Sequence, residues 1–237
     1  LVNTLISMYA KCGALELAQT VHSDILMPDI VSWNALISGY AHQGQSHEAL
    51  HCFEEMQRDG RLSPNEITFA CALKACSGVR AIDKGKQIHY EIVRRGLLEK
   101  KIMLGTALIN MYAKCGMIEK AKQVLEDIPN RDIVTWCALI SGYTKQDRSY
   151  EALNCFERMQ REGVSPTEIT FICILKACGS IGAVDEGIKI HDEIVARGLL
   201  KENVLLGTAL VDMYAKCGAL ANAQEALEEL HIRDIVS

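Results

Sequence analysis

The string Met-Tyr-Ala-Lys-Cys-Gly occurs three times, starting at Met8, Met111 and Met213, at intervals of 103 and 102 residues. Self-similarity at a fixed period is the mark of a repeat architecture, in which each copy buries its apolar face against the next. Two further strings keep the same interval. Trp-Asn-Ala-Leu-Ile-Ser-Gly-Tyr at Trp33 returns with one change at Trp136, and Ile-Thr-Phe-Ala-Cys-Ala-Leu-Lys-Ala-Cys at Ile67 returns with two changes at Ile169. Three segments therefore cycle in a constant order.

The three segments also align with one another, each placing an aromatic or apolar residue first and an apolar pair three to four positions later. Sliding them together divides the chain into units 1–29, 30–65, 66–101, 102–132, 133–167, 168–203 and 204–234, with 235–237 opening a further one. Seven copies of one supersecondary unit, in three variants, account for the whole sequence.

Each unit reads as two helices. Val2, Leu5, Ile6 and Tyr9 stand at i, i+3, i+4 and i+7, as do Trp33, Leu36, Ile37 and Tyr40, the spacing of one helical face. Cys12 extends the first stripe and is expected to pack. Gly13, Gly116 and Gly218 follow as helix stops. The second helix shows Ala49, Cys52, Phe53 and Met56 on one face, repeated as Ala152, Cys155, Phe156 and Met159, before Gly60 and Pro64 or Gly163 and Pro166. No stretch shows credible strand alternation. One such hairpin cannot bury its face alone, so an all-α solenoid of stacked helix pairs is expected.

Composition narrows the function. With 49% hydrophobic and 23% charged residues the chain is of ordinary globular make-up. No apolar run approaches the roughly 18 to 20 residues that cross a bilayer. The opening residues resemble neither a secretory signal nor a transit peptide, and a start at Leu1 without methionine reads as a piece of a longer chain. A net charge of −5 argues against an unspecific polyanion binder, while leaving room for one basic face. Nine of the ten cysteines recur in register, Cys137 alone excepted, and no Cys-x-x-Cys is present. They read as small core hydrophobes in a reducing compartment rather than as metal ligands or disulfides. No cofactor is expected.

The segment from Pro28 to Gly60, PDIVSWNALISGYAHQGQSHEALHCFEEMQRDG, resembles a pentatricopeptide repeat. The cycle of unit lengths resembles the PLS subclass of plant organelle proteins, in the order S-P-L-S-P-L-S. The nearest alternative is a tetratricopeptide scaffold for protein–protein contacts, but that family holds its length constant at about 34 residues. The resemblance implies a right-handed α-solenoid that binds single-stranded RNA, one base per repeat. It further implies an organelle RNA editing or processing factor of chloroplast or mitochondrion, with accessory editing factors docking on the L repeats. Self-association through uncovered terminal faces is a further expectation.

In that family the fifth and last residues of a repeat read the base. Here these are Asn3 with Asp29, Asn34 with Asn65, Thr106 with Asp132, Cys137 with Thr167, and Thr208 with Asp234. Asp can accept the Watson–Crick hydrogen of uracil N3 or guanine N1, whereas Asn can donate to cytosine N3 or adenine N1. The family rule pairs Asn at the fifth position with pyrimidines and Thr with purines, so the repeats read U, then C (or U), with G at the fourth and seventh, giving the word U-C-x-G-x-x-G. The L repeats offer Ala70 with Lys101 and Ile172 with Asn203, and neither Ala nor Ile bonds a base. Cys137 departs from the Asn that the family favours.

The second residue of each repeat is implied to wedge the bases: Val31, Ile67, Met103, Val134, Ile169 and Leu205. These side chains could equally pack between helices. Lys11, Lys114, Lys145 and Lys216 hold the thirteenth position, in reach of phosphate or simply complementing a helix C-terminus. Asp29, Asp132 and Asp234 stand where N-caps stand. Fuller family members can end in a zinc deaminase domain with His-x-Glu and Pro-Cys-x-x-Cys. His89-Tyr90-Glu91 and His191-Asp192-Glu193 spell the first motif, but the second is missing, so both read as scaffold and the chain as a non-enzyme.

Overall fold

The computed structural model describes the backbone of residues 2–201 and 203–234, and the side chains of 2–200 and 203–228. The chain divides into two compact units, Leu1–Asn130 and Arg131–Ser237. The first holds α1 (Val2–Lys11), α2 (Leu15–Ser23), α3 (Ile30–His42), α4 (Ser46–Asp59), α5 (Glu66–Val79), α6 (Ile82–Arg94), α7 (Ile102–Lys114) and α8 (Ile118–Asp127). The second holds α9 (Ile133–Lys145), α10 (Ser149–Arg161), α11 (Glu168–Ile181), α12 (Val184–Ala196), a 3-10 turn (Leu199–Lys201), α13 (Val204–Lys216) and α14 (Leu220–Asp234). Among the described residues there is no strand. The fold is an all-α array of stacked helix pairs.

Within the first unit, α1, α3, α5 and α7 lie side by side, and α2, α4 and α6 each pack on their own first helix and on the next one. The second unit repeats the scheme with α9, α11 and α13 side by side and α10 and α12 bridging them. This explains the composition of the helices. A first helix is hemmed in on several sides, so α3 buries Trp33, Leu36, Ile37, Tyr40 and Ala41. A second helix buries a single stripe, in α4 Ala49, Cys52, Phe53 and Met56. Phe53 meets Phe69 of α5 with ring centroids 6.4 Å apart. Each such large side chain taken from water contributes about 1.5–3 kcal/mol.

Tight turns join the pairs. Gly13, Gly116 and Gly218 have φ of 78°, 83° and 75°, a left-handed backbone that glycine adopts without steric cost. All ten cysteines are free thiols. Burial pushes the thiols of Cys52, Cys76 and Cys178 up to about 12, so they stay protonated and inert. Cys12 corrects the expectation that it packs, because it is exposed. Its counterparts Cys115 and Cys217 are half-covered, and Cys217 lies 3.7 Å from the Cys178 carbonyl of the preceding helix pair. Ile6 and Ala10 form the buried face of α1.

Gly39 sits mid-helix in α3 for a packing reason. A Cβ placed there would lie 2.7 Å from the Ala10 Cβ of α1. Gly39→Ala should therefore lower the denaturation midpoint, at a cost of about 1–3 kcal/mol from overpacking that outweighs the helix-propensity gain of about 1 kcal/mol. Guanidinium unfolding followed by circular dichroism measures it, and an unchanged or raised midpoint would show that α1 and α3 are not in close contact.

Candidate nucleic-acid interface

The first backbone N–H groups of a helix have no partner in a preceding turn, and a polar residue just before the helix supplies one. Asp29 does this for α3, accepting from Ser32 N at 2.8 Å with its Oδ1. Its Oδ2 accepts from Asn3 Nδ2 of α1 at 2.9 Å. Capping and pairing thus use different oxygens of one carboxylate. The bonds from the Ser32 backbone, then from the Asn3 side chain, hold Asp29 below the usual carboxylate range, so it is an acceptor throughout the neutral range.

The next pair is built alike. Asn65 caps α5 by accepting from Thr68 N at 3.0 Å, and its Oδ1 also accepts from Asn34 Nδ2 at 3.1 Å. The buried Thr68 hydroxyl joins all the parts. It lies 2.6 Å from Asn34 Oδ1 and 2.9 Å from Asn65 Oδ1, and it accepts from Asn65 N at 3.1 Å. Among the described residues the Asn65 Nδ2 amide makes no hydrogen bond, so its donors remain available.

Apolar groups flank this polar pair. Val31 and Ile67 are 53% and 49% exposed, so about half of each side chain is open to a ligand. With Asn34, Ser38, Gln43 and Lys11 they line a groove of 490 Å³ on the file of first helices. Met103, Val134, Ile169 and Leu205 are likewise exposed, at 48%, 55%, 65% and 72%. Exposed apolar side chains at the same place in six helix pairs cost solvation, and a flat ligand face would cover them.

In the second unit Cys137 takes the place of Asn34. Its Sγ lies 2.9 Å from Thr170 Oγ1 and 3.9 Å from Thr167 Oγ1. The constellation survives, but both amides are gone. Asp132 caps α9 through Thr135 N at 2.8 Å. Thr106 and Thr208 return their hydroxyls to their own helices, to the carbonyls of Ile102 at 3.3 Å and Val204 at 2.8 Å. Thr106 belongs to the first unit and Asp132 to the second. Asp234 ends α14, and its side chain falls outside the described residues. At the L-type positions Lys101 pairs with Glu66 at 3.0 Å and Asn203 caps α13 through Leu206 N at 3.0 Å.

The lysines differ among themselves. Lys11, Lys114, Lys145 and Lys216 all end first helices and are exposed. Lys216 is bound to Asp212 at 2.6 Å, and it must release that partner before meeting a phosphate. Lys11 is the one that lines the groove.

Both His-x-Glu motifs lie inside helices. His89 Nδ1 shares a hydrogen bond with Tyr112 OH at 2.9 Å, and His191 Nδ1 with Tyr214 OH at 3.0 Å. Burial lowers the His89 pKa, so that ring is neutral at pH 7. Glu91 is held at about 2 by bonds from Arg94 and Arg95. No cluster of three His, Cys, Asp or Glu occurs among the described residues.

Sequence reading overlooked Ser32, Thr68, Thr135 and Thr170. Each stands three residues after a reading-position residue, the spacing of a capping box, and that spacing is the signal that would have found them.

Comparison with known proteins places this architecture. Residues 28–78 and 131–180 match the PPR repeat family, and residues 1–27, 106–133 and 169–199 match the PPR repeat. A mitochondrial pentatricopeptide repeat-containing protein of Arabidopsis thaliana is 38% identical over 234 residues, 98% of this chain and 37% of that protein. The chloroplastic protein DOT4 of the same plant is 39% identical over 222 residues, 94% of this chain and 25% of DOT4. The chain thus spans about a third or less of the length of these relatives. The crystal structure of PPR10 in complex with an 18-nucleotide psaJ RNA element superposes with a TM-score of 0.78 at 22% identity, over 98% of this chain and 34% of that one. At that identity the likeness is one of fold.

Two outcomes follow from the geometry. Thr68→Val removes a buried hydroxyl shared by two amides, and should cost about 1–3 kcal/mol in denaturant unfolding. Asp29 has a folded pKa below its unfolded one, so its carboxylate stabilises the fold above the ordinary value of 3.8, and that contribution is lost as the pH falls through the lowered folded value. The midpoint difference between the native chain and Asp29→Ala should stay constant from about pH 7 to about pH 5 and shrink below about pH 4. A difference that shrinks already near neutrality would mean the carboxylate is not held as described.

Proposed function

This chain belongs to the pentatricopeptide repeat family, and we propose that it binds single-stranded RNA along the file of first helices, each competent repeat inspecting one nucleotide. The observation that carries the reading is the meeting of Asn3 with Asp29 and of Asn34 with Asn65, residues 26 and 31 positions apart. Each pair brings its polar groups together beside exposed aliphatic side chains, and the second lies in an open groove. A base entering between Val31 and Ile67 would stack on apolar faces while its Watson–Crick edge meets the amides.

The chemistry differs from repeat to repeat. Ionised Asp29 suits the N3 hydrogen of uracil, and the unspent Asn65 amide suits the bare N3 of cytosine. Asp132 and Asp234, with Thr106 and Thr208, suit guanine. Cys137 with Thr167 offers only a thiol and a hydroxyl, a weak donor set, and that repeat reads poorly. The word is U-C-x-G-x-x-G, 5′ to 3′, over repeats 1–29, 30–65, 66–101, 102–132, 133–167, 168–203 and 204–234. Lys11, Lys114 and Lys145 supply phosphate contacts.

The unit lengths support a PLS-type protein, and with it recognition in organelle RNA editing or processing. Relatives named mitochondrial and chloroplastic support an organelle setting. The non-reading Ala70 and Ile172 leave the L repeats free to carry accessory factors. Catalysis, if any, would belong to another domain or a recruited partner.

An affinity series tests the reading. The matched seven-nucleotide RNA should bind about 10-fold more tightly than one with both guanines changed to uracil, and binding should weaken with salt. Thr106→Asn should move the preference at the fourth nucleotide from guanine towards uracil. Equal affinity for both oligonucleotides overturns the base code.

A further inference from the structure

Both L repeats lack a reading side chain, yet both close their second helix with the same arginine-glycine pair, Arg95-Gly96 and Arg197-Gly198. Arg95 stands just past α6, where a cation complements the helix C-terminus. Its Nε is bound to Glu91 Oε1 at 2.6 Å, and its guanidinium lies 5.3 Å over the Phe69 ring of α5. A planar guanidinium held on two sides has its remaining donors fixed in direction. One of them, Nη1, donates to the Pro64 carbonyl at 2.9 Å.

That carbonyl belongs to the peptide unit whose nitrogen is Asn65 N. The same nitrogen donates to Thr68 Oγ1 at 3.1 Å. The peptide plane immediately before the reading Asn65 is therefore held at both ends, by Arg95 on its oxygen and Thr68 on its hydrogen. The arrangement recurs in the second unit. Arg197 Nη1 donates to the Pro166 carbonyl at 3.1 Å, Thr167 N donates to Thr170 Oγ1 at 3.2 Å, and Arg197 lies 5.4 Å over Phe171 while bonded to Glu193. Pro64 and Pro166 add to the restraint, since proline has a fixed φ.

We propose that Arg95, anchored by Glu91, is a positioning residue for the base-reading Asn65 of the preceding repeat, and that Arg197, anchored by Glu193, does the same for Thr167. The L repeat then serves readout without touching a base. It fixes the backbone from which its neighbour's reading side chain projects, and a reader so fixed loses less entropy on meeting a base. The acid of each His-x-Glu motif acquires its role here, as the anchor of the arginine. This inference rests on the base-reading proposal above.

The test uses the 237-residue chain and single-stranded RNAs varied at one nucleotide, with Arg95→Ala and Glu91→Gln as variants. Glu91→Gln loosens the anchor while leaving the stacked arginine, and it serves where Arg95→Ala does not fold. The expected result is a fall of about 5-fold in the cytosine-over-uracil preference at the second nucleotide, the choice that the Asn65 amide governs, with the uracil preference at the first nucleotide unchanged. Hydrogen exchange at the Asn65 amide should quicken in the same variants. Equal weakening towards every oligonucleotide with preferences intact would make Arg95 a simple positive charge and overturn the inference. So would unchanged Asn65 exchange. A native chain that cannot tell cytosine from uracil at the second nucleotide overturns the reading role of Asn65 instead, and the Asn65 exchange rate then judges the brace alone.

Discussion

Every first helix starts with backbone N–H groups that no earlier turn can satisfy, and the residue that satisfies one of them is tied to a fixed place. Asp29, Asn65 and Asp132 each spend one side-chain oxygen on that task. A group so tied cannot wander, which an exposed Asp or Asn on a loop otherwise would. At Asp29 and Asn65 the residue that begins the helix also bonds the fifth-position residue of the helix before it, Asn3 and Asn34. On the proposed reading, fold and recognition draw on one interaction, and a residue that caps is by that bond placed to read.

The repeat arithmetic carried most of the architecture, because apolar spacing records which faces must be buried. The stripes Trp33–Leu36–Ile37–Tyr40 and Ala49–Cys52–Phe53–Met56 are buried as the periodicity implies. Cys12 was misread because burial depends on a neighbour, and periodicity within one helix says nothing about who lies next to it. Val31 and Ile67 needed the structure for a related reason. An apolar residue at the edge of a stripe looks the same in sequence whether it is covered by protein or left for a ligand.

The pairing of Asn34 with Asn65 was legible as a family pattern, yet Thr68 was not, though it touches both. A lone threonine among Ile67 and Phe69 reads as one more β-branched core residue, and only its hydroxyl partners reveal a junction. Cys137 shows the converse. Its sequence oddity was plain, and its geometry keeps the junction with Thr170 while dropping both amides, so the site is preserved in shape and emptied of its language.

The missing side chain at Gly39 sets how closely α1 and α3 can approach. On the proposed reading, helices side by side would act as the rungs against which a flexible strand keeps step, and their pitch is fixed by whatever stands between them. A small residue at such a contact therefore governs tempo as well as stability. Widening one rung would leave every polar pair intact and still put the letters out of phase.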